Sequence, residues 1–145
     1  MRLDLATADA IDRTRRNRPG ISFKPDLQES MVRGVPATIE RAISNLLDNA
    51  AKWSPPDGEI EVTVRDGELT VRDHGPGIDS DDLPFVFDRF YRAPAARGLP
   101  GSGLGLAIVR QVAEAHGGTV TAEAAEGGGT RMRLMLPAQN GDATS

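Results

Sequence analysis

The chain has 145 residues, of which 39% are apolar and 26% charged, and its net charge is −4. That length and balance suit one globular domain with a real core, and 17 basic against 21 acidic residues leave no general footprint for nucleic acid or an anionic membrane. Cysteine is absent and only His74 and His116 occur, which excludes disulfides and thiolate metal sites and argues against zinc. No apolar run is long enough to span a bilayer, and no signal-peptide pattern opens the chain.

In chain order, "LDLATADAIDRTRRNRPG" reads as a helix with Leu5, Ala8 and Ile11 on one side and a stop at Pro19-Gly20. "ISFKPDLQESMVRGV" predicts two short strands around a turn. Pro36 sits at a first helical position, and a helix follows to about Trp53, ended by "SPPDG". "EIEVTVRDGELTVRDHG" is a hairpin pattern about Asp66-Gly67. Between Gly75 and Gly105, glycine and proline punctuate short apolar pieces such as "LPFVFDRFY", and a lid is expected over about 83–103. "GLAIVRQVAEAHGG" is an amphipathic helix closed by two glycines, and "TVTAEAAEGGGTRMRLMLP" a final hairpin. The expected domain is 1–137, with 138–145 a disordered tail. Three helices among strands joined largely by hairpins predict a two-layer α/β sandwich, a mixed and mostly antiparallel sheet covered by helices on one face.

Three stretches carry candidate chemistry. In the helix 36–53, which contains "ERAISNLLDNAAKW", Ile39, Ile43, Leu46, Leu47 and Ala50 form an apolar stripe. Beside it Asn45, Asn49 and Lys52 recur at i, i+4 and i+7, a row of amide oxygens, amide N–H groups and one positive charge that suits Mg²⁺ and polyphosphate. Ordinary boundary polar residues would look the same. "RDHGPGI" ends a strand in an aspartate, Asp73, able to accept from an exocyclic amine, and its glycines permit close approach of a ligand; a plain Asx turn is the alternative. "GSGLGLAIV" runs a glycine loop into a helix start, where backbone N–H groups and the helix dipole favour an anion. It lacks the G-K-[ST] of a P-loop.

The order of these stretches matters more than any one of them. From Glu40 to Met135 the chain resembles the ATP-binding catalytic domain of two-component sensor histidine kinases, in the superfamily of gyrase, MutL and related ATPases with the Bergerat fold. "ERAISNLLDNAAKW" matches the asparagine box, "DHGPGI" and "GSGLGL" the glycine boxes, "FVFDRFYR" the phenylalanine box and "GGGT" the last glycine element.

The resemblance implies ATP and Mg²⁺ as cofactors, with Asn49 the principal metal ligand, Asn45 assisting and Lys52 meeting the phosphates. Trp53, where relatives often have tyrosine, is implied to stack near the adenine; Asp73 is implied to hold its amino group, with Gly75 and Gly77 letting the base approach. Gly101, Gly103, Leu104 and Gly105 would wrap the phosphates, and Thr130 would close the adenine pocket. Phe87 and Phe90 would anchor the lid or be ordinary core aromatics; Arg92, with Arg89, would reach the γ-phosphate or be solvated. Neither His74 nor His116 stands in the context of a phosphoacceptor, and a helix-capping role is expected for His116. By the same resemblance, hydrolysing relatives carry a glutamate where Asn45 stands, and an amide cannot act as a general base. The implied activity is therefore phosphoryl transfer from Mg·ATP to a histidine on a separate dimerisation domain, with a response regulator downstream. The implied setting is a cytoplasmic domain, monomeric in isolation, of a kinase held in the cell membrane. The alternatives are an anti-sigma-type kinase or ATPase of the same superfamily, and a nucleotide-sensing module without transfer.

Overall fold

A computed structural model describes residues 1–55, 57–88 and 105–138. Its elements run α1 (Leu3–Asn17), β1 (Ser22–Leu27), α2 (Pro36–Trp53), β2 (Glu59–Arg65), β3 (Glu68–Arg72), a single 3-10 turn (Leu83–Phe85), α3 (Gly105–Ala115), β4 (Thr119–Ala124) and β5 (Thr130–Met135). The strands form one sheet in the order β1-β2-β3-β5-β4. β1 lies parallel to β2, and every other pairing is antiparallel.

Alternation along the strands builds one apolar face. Ile60, Val62 and Val64 of β2, Leu69 and Val71 of β3, and Met132 and Leu134 of β5 are all buried. Their neighbours Glu61, Arg72, Arg131 and Arg133 stand on the opposite face. The helices cover the apolar face, and the stripe expected of α2 is fully realised: Ile39, Ile43, Leu46 and Leu47 are each 0% exposed. Burying four such side chains stabilises the fold by roughly 6–12 kcal/mol before chain entropy is counted.

The β2–β3 hairpin turns where expected, with Asp66 at φ 51° and Gly67 at φ 81°. Both central residues thus take the left-handed geometry of a type I′ turn, whose twist matches that of the strands. Leu5, expected on the apolar side of α1 with Ala8 and Ile11, is 55% exposed, and the buried apolar line is instead Leu3, Ala6, Ala10 and Ile11. A second expectation also fails. Of the two strands predicted between Ile21 and Val35, only β1 forms; Met31 and Val32 make single bridges, to Arg2 and Ala138. That segment is recruited instead by side chains. Asp4, buried at the start of α1, accepts the Ser30 N–H at 3.1 Å, and Ser30 Oγ accepts the Gly67 N–H at 2.8 Å. Ala138, assigned to the tail from sequence, is thereby tied to the domain, and 139–145 lie outside the described residues.

Candidate functional site

The site is built where α2, α3 and β3 converge. α3 runs antiparallel to the first part of α2 and is fastened to it at both ends. Asn45 Nδ2 donates to the Gly105 carbonyl at 3.3 Å, at the first residue of α3. At the other end, His116 Nε2 accepts the Val35 N–H at 3.2 Å while its Nδ1 donates to the Val112 carbonyl at 2.8 Å. The role expected of His116 at a helix end is met, and the ring also holds the N-cap residue of α2. Because Asn45 lies level with the start of α3, Asn49 and Lys52 lie one and two turns past it, towards the C-terminal end of α2. Both are half-buried, and Lys52 Nζ stands 5.9 Å from the centroid of the Trp53 ring.

The second wall is the end of β3. Asp73 is 3% exposed. Its Oδ1 accepts two backbone donors, the Gly75 N–H at 2.9 Å and the Thr130 N–H at 3.3 Å, while its own N–H donates to the Thr130 carbonyl at 3.0 Å. The Asx bond to Gly75 is the turn foreseen as the alternative. It is compatible with ligand binding, because both backbone donors fall on Oδ1 and leave Oδ2 to receive a donor from a ligand. Burial pushes the Asp73 carboxyl above its ordinary range, against the opposing pull of the Gly75 and Thr130 N–H groups.

Two glycines let these walls meet. A Cβ on Gly75 would strike the Trp53 carbonyl, so the end of α2 packs directly on the loop after β3. A Cβ on Gly129, at φ 87°, would strike the Asp73 carbonyl. Gly77 also lies near Gly129. Asn45 thus meets Gly105, Asp73 meets Gly75 and Thr130, and Gly75 meets Trp53, while Asn49 and Lys52 continue the line of Asn45 along α2. Phe87 is buried, whereas Phe85 is 53% exposed. Arg89, Phe90, Arg92, Gly101, Gly103 and Leu104 lie outside the described residues.

Among the described residues no group of three or more His, Asp or Glu side chains is placed to hold a metal. The donor set nevertheless fits Mg²⁺ held jointly with a ligand's phosphates, since Asn45 keeps its amide oxygen while its NH2 is engaged, and Asn49 lies one turn on.

One participant was missed from sequence. Arg72 lies behind Asp73 and bonds to Glu61 and to the turn before β5. The two-residue turn at Asp66-Gly67 already sets Glu61 opposite Arg72, which is the signal that reveals the pair.

A one-faced mixed sheet, with a buried aspartate at a strand end and an asparagine-bearing helix beside a helix N-terminus, defines a class of nucleotide-binding ATPase-type domains. Residues 34–140 match the family described as histidine kinase-, DNA gyrase B- and HSP90-like ATPases, and the chain belongs to that family. It is similar to the signal transduction histidine-protein kinase/phosphatase MprB of Mycobacterium avium (strain 104), 47% identical over 137 residues, which cover 88% of this chain and 26% of that protein. The MprB of Mycolicibacterium smegmatis is 46% identical over 145 residues, covering 91% of this chain and 30% of that protein. The chain therefore spans under a third of the length of these curated relatives. Among solved structures, the mycobacterial sensor histidine kinase MprB superposes with a TM-score of 0.89 at 40% identity, covering 96% of this chain and 97% of that one. The ATP-binding domain of PrrB from Mycobacterium tuberculosis gives a TM-score of 0.76 at 26% identity, over 97% and 96% of the two chains.

Proposed function

We propose that this domain binds Mg·ATP between the C-terminal half of α2 and the end of β3, and donates the γ-phosphoryl group to a histidine on a separate dimerisation domain. The observation that carries the reading is Asp73: a buried carboxylate with one oxygen saturated by backbone donors and the other left for an amine. An adenine amino group suits that oxygen, with Trp53 and Gly75 flanking the base. The phosphates then extend towards Lys52, Asn49 and the first turn of α3. Asn49, with the amide oxygen of Asn45, would hold Mg²⁺, which supplies charge neutralisation across the phosphates when bound.

Transfer is favoured over hydrolysis by the chemistry of position 45. Its amide has no proton-accepting basicity, and its NH2 is committed to Gly105, so no general base for water stands there. The domain's own work is then to orient ATP, and the acceptor histidine attacks from outside. A kinase of this kind would be held in the cell membrane, with a response regulator as its downstream partner. Among the described residues no helix is long and apolar enough to cross a membrane.

Two measurements test the reading. Titration calorimetry with Mg·ATP should show binding to the native domain and its loss in Asn49→Ala, with the melting temperature unchanged. Labelled ATP should then mark a histidine only when a separately made dimerisation domain is added. Free phosphate released by the isolated domain would point to an ATPase instead, and neither product to a sensing module.

A further inference from the structure

We propose that Arg72 is a positioning residue for base recognition: with Glu61 it straps the turn at 126–129 against the strand end that carries Asp73, and so sets the preference for adenine. The proposal rests on the reading of Asp73 as the adenine acceptor. Asp73 points to the helix side of the sheet, and its neighbours Arg72 and His74 point to the open side. Glu61, directly across on β2, reaches both of them: its Oε2 lies 3.4 Å from Arg72 Nη1 and 3.0 Å from His74 Nε2. One carboxylate thus grips both flanks of the aspartate.

Arg72 also turns its Nη2 to the turn, while its buried Nε has no partner among the described residues. Its Nη2 donates to the Glu126 carbonyl at 2.8 Å and to the Gly128 carbonyl at 3.0 Å. The side chain is only 15% exposed although it lies on the uncovered face of the sheet. A planar guanidinium can serve two carbonyls and a carboxylate at once, which a lysine ammonium cannot match in geometry. The turn needs that hold. Gly127, Gly128 and Gly129 all have positive φ (85°, 109° and 87°), and three consecutive glycines have little conformational preference of their own. Within the turn there are only the Gly128 N–H to Ala125 bond and the Ala125 N–H to Gly129 bond.

What the turn carries is the Thr130 N–H, whose bond to Asp73 Oδ1 is already long at 3.3 Å. A drift of a few tenths of an ångström would break it. Asp73 Oδ1 would then be held by Gly75 alone, and the carboxylate could rotate, so that Oδ2 no longer faces the base in one orientation. Phosphate contacts on α2 and α3 lie on other elements and would be untouched. Loss of the strap should therefore erode selectivity for the base, not affinity for the triphosphate.

The test compares ATP with inosine triphosphate, whose ring carries a carbonyl where adenine has its amine. Arg72→Met keeps the aliphatic stem and removes every donor. Its preference for ATP over inosine triphosphate should fall about tenfold, with inosine triphosphate bound as by the native chain. Exchange of the Thr130 amide hydrogen should quicken without nucleotide. Glu61→Gln, which keeps an acceptor but loses the charge, should give a smaller drop of about threefold, and it decides the matter should Arg72→Met not fold. An unchanged ratio in a folded variant, or both nucleotides weakened equally, overturns the proposal. Equal binding of the two nucleotides by the native chain would remove the adenine reading itself, and this inference with it; that outcome is read without any variant.

Discussion

Asp73→Asn probes the proposed adenine contact most directly, because the replacement is isosteric and its consequences can be worked out atom by atom. An asparagine at 73 would turn its carbonyl oxygen towards the Gly75 and Thr130 N–H groups, which now donate to Oδ1 at 2.9 and 3.3 Å. Its NH2 then takes the place of Oδ2. Adenine's amine would meet a donor, and the charge-assisted hydrogen bond, worth about 1.5–3 kcal/mol, would be lost. That corresponds to a fall in ATP affinity of roughly tenfold to a hundredfold. Inosine triphosphate offers a carbonyl at that position and should gain about as much, so the base preference reverses.

Stability should move the other way. Burial raises the Asp73 carboxyl above its ordinary value of 3.8, so the folded chain binds that proton more tightly than the unfolded one. The associated stability is fully present below pH 3.8 and is lost as pH rises through the raised value. At neutral pH a neutral amide therefore costs the fold nothing, and the melting temperature should be unchanged or higher. Calorimetric titrations with both nucleotides, and a thermal melt at neutral pH, measure the two effects. A variant that melts like the native chain yet still prefers ATP as strongly would refute the reasoning.

If Asp73 is the adenine acceptor, nucleotide binding should be acid-sensitive: as pH falls from neutral, a proton should add at Oδ2 and weaken ATP at milder acidity than at an ordinary aspartate, which titrations across the acidic range would reveal. Asp4 has the opposite sign, since the hydrogen bond from Arg2 and the Ser30 N–H hold it down at about 2; its contribution, about 1 kcal/mol after solvent screening around Arg2, is present above pH 3.8 and lost as pH falls towards 2. Acid unfolding of Asp4→Asn should begin from a lower stability but show a shallower slope in that window. Gly34→Ala would drive a methyl group into the His116 ring and Ile39 Cδ1, costing about 1–3 kcal/mol by denaturant unfolding, with α2 losing the acceptor at its first turn. Leu47→Ala, at a core side chain of α2 with 0% exposure, should cost about 2–5 kcal/mol in the same assay.

Much of this architecture can be read from patterns of period. The 3.6-residue recurrence of Ile39, Ile43, Leu46, Leu47 and Ala50 marks the buried line of α2, and the alternation around Asp66-Gly67 marks the hairpin. Period shows which face of an element is apolar but not which element it meets. The parallel pairing of β1 with β2 joins segments separated by the whole of α2, and nothing local in either strand announces it. The second strand expected near Met31 failed because Ser30 is captured by Asp4 and Gly67, contacts between residues 26 and 37 positions apart. Asn45 shows the same limit. Its place in the row with Asn49 and Lys52 is plain in the sequence, but its bond to Gly105 spans 60 residues and appears only once α3 is laid beside α2.

The fastening of α3 at Gly105 and at His116 has a mechanical consequence. The two attachment points lie about 16 Å apart along the helix, and the matching points on α2, Val35 and Asn45, are about 15 Å apart. The pair is a strut braced at both ends to a beam of equal span. A pull on the chain just before Gly105 cannot slide or swing α3 without breaking a hydrogen bond at one end. The load passes through the strut to the foot of α2, at Val35.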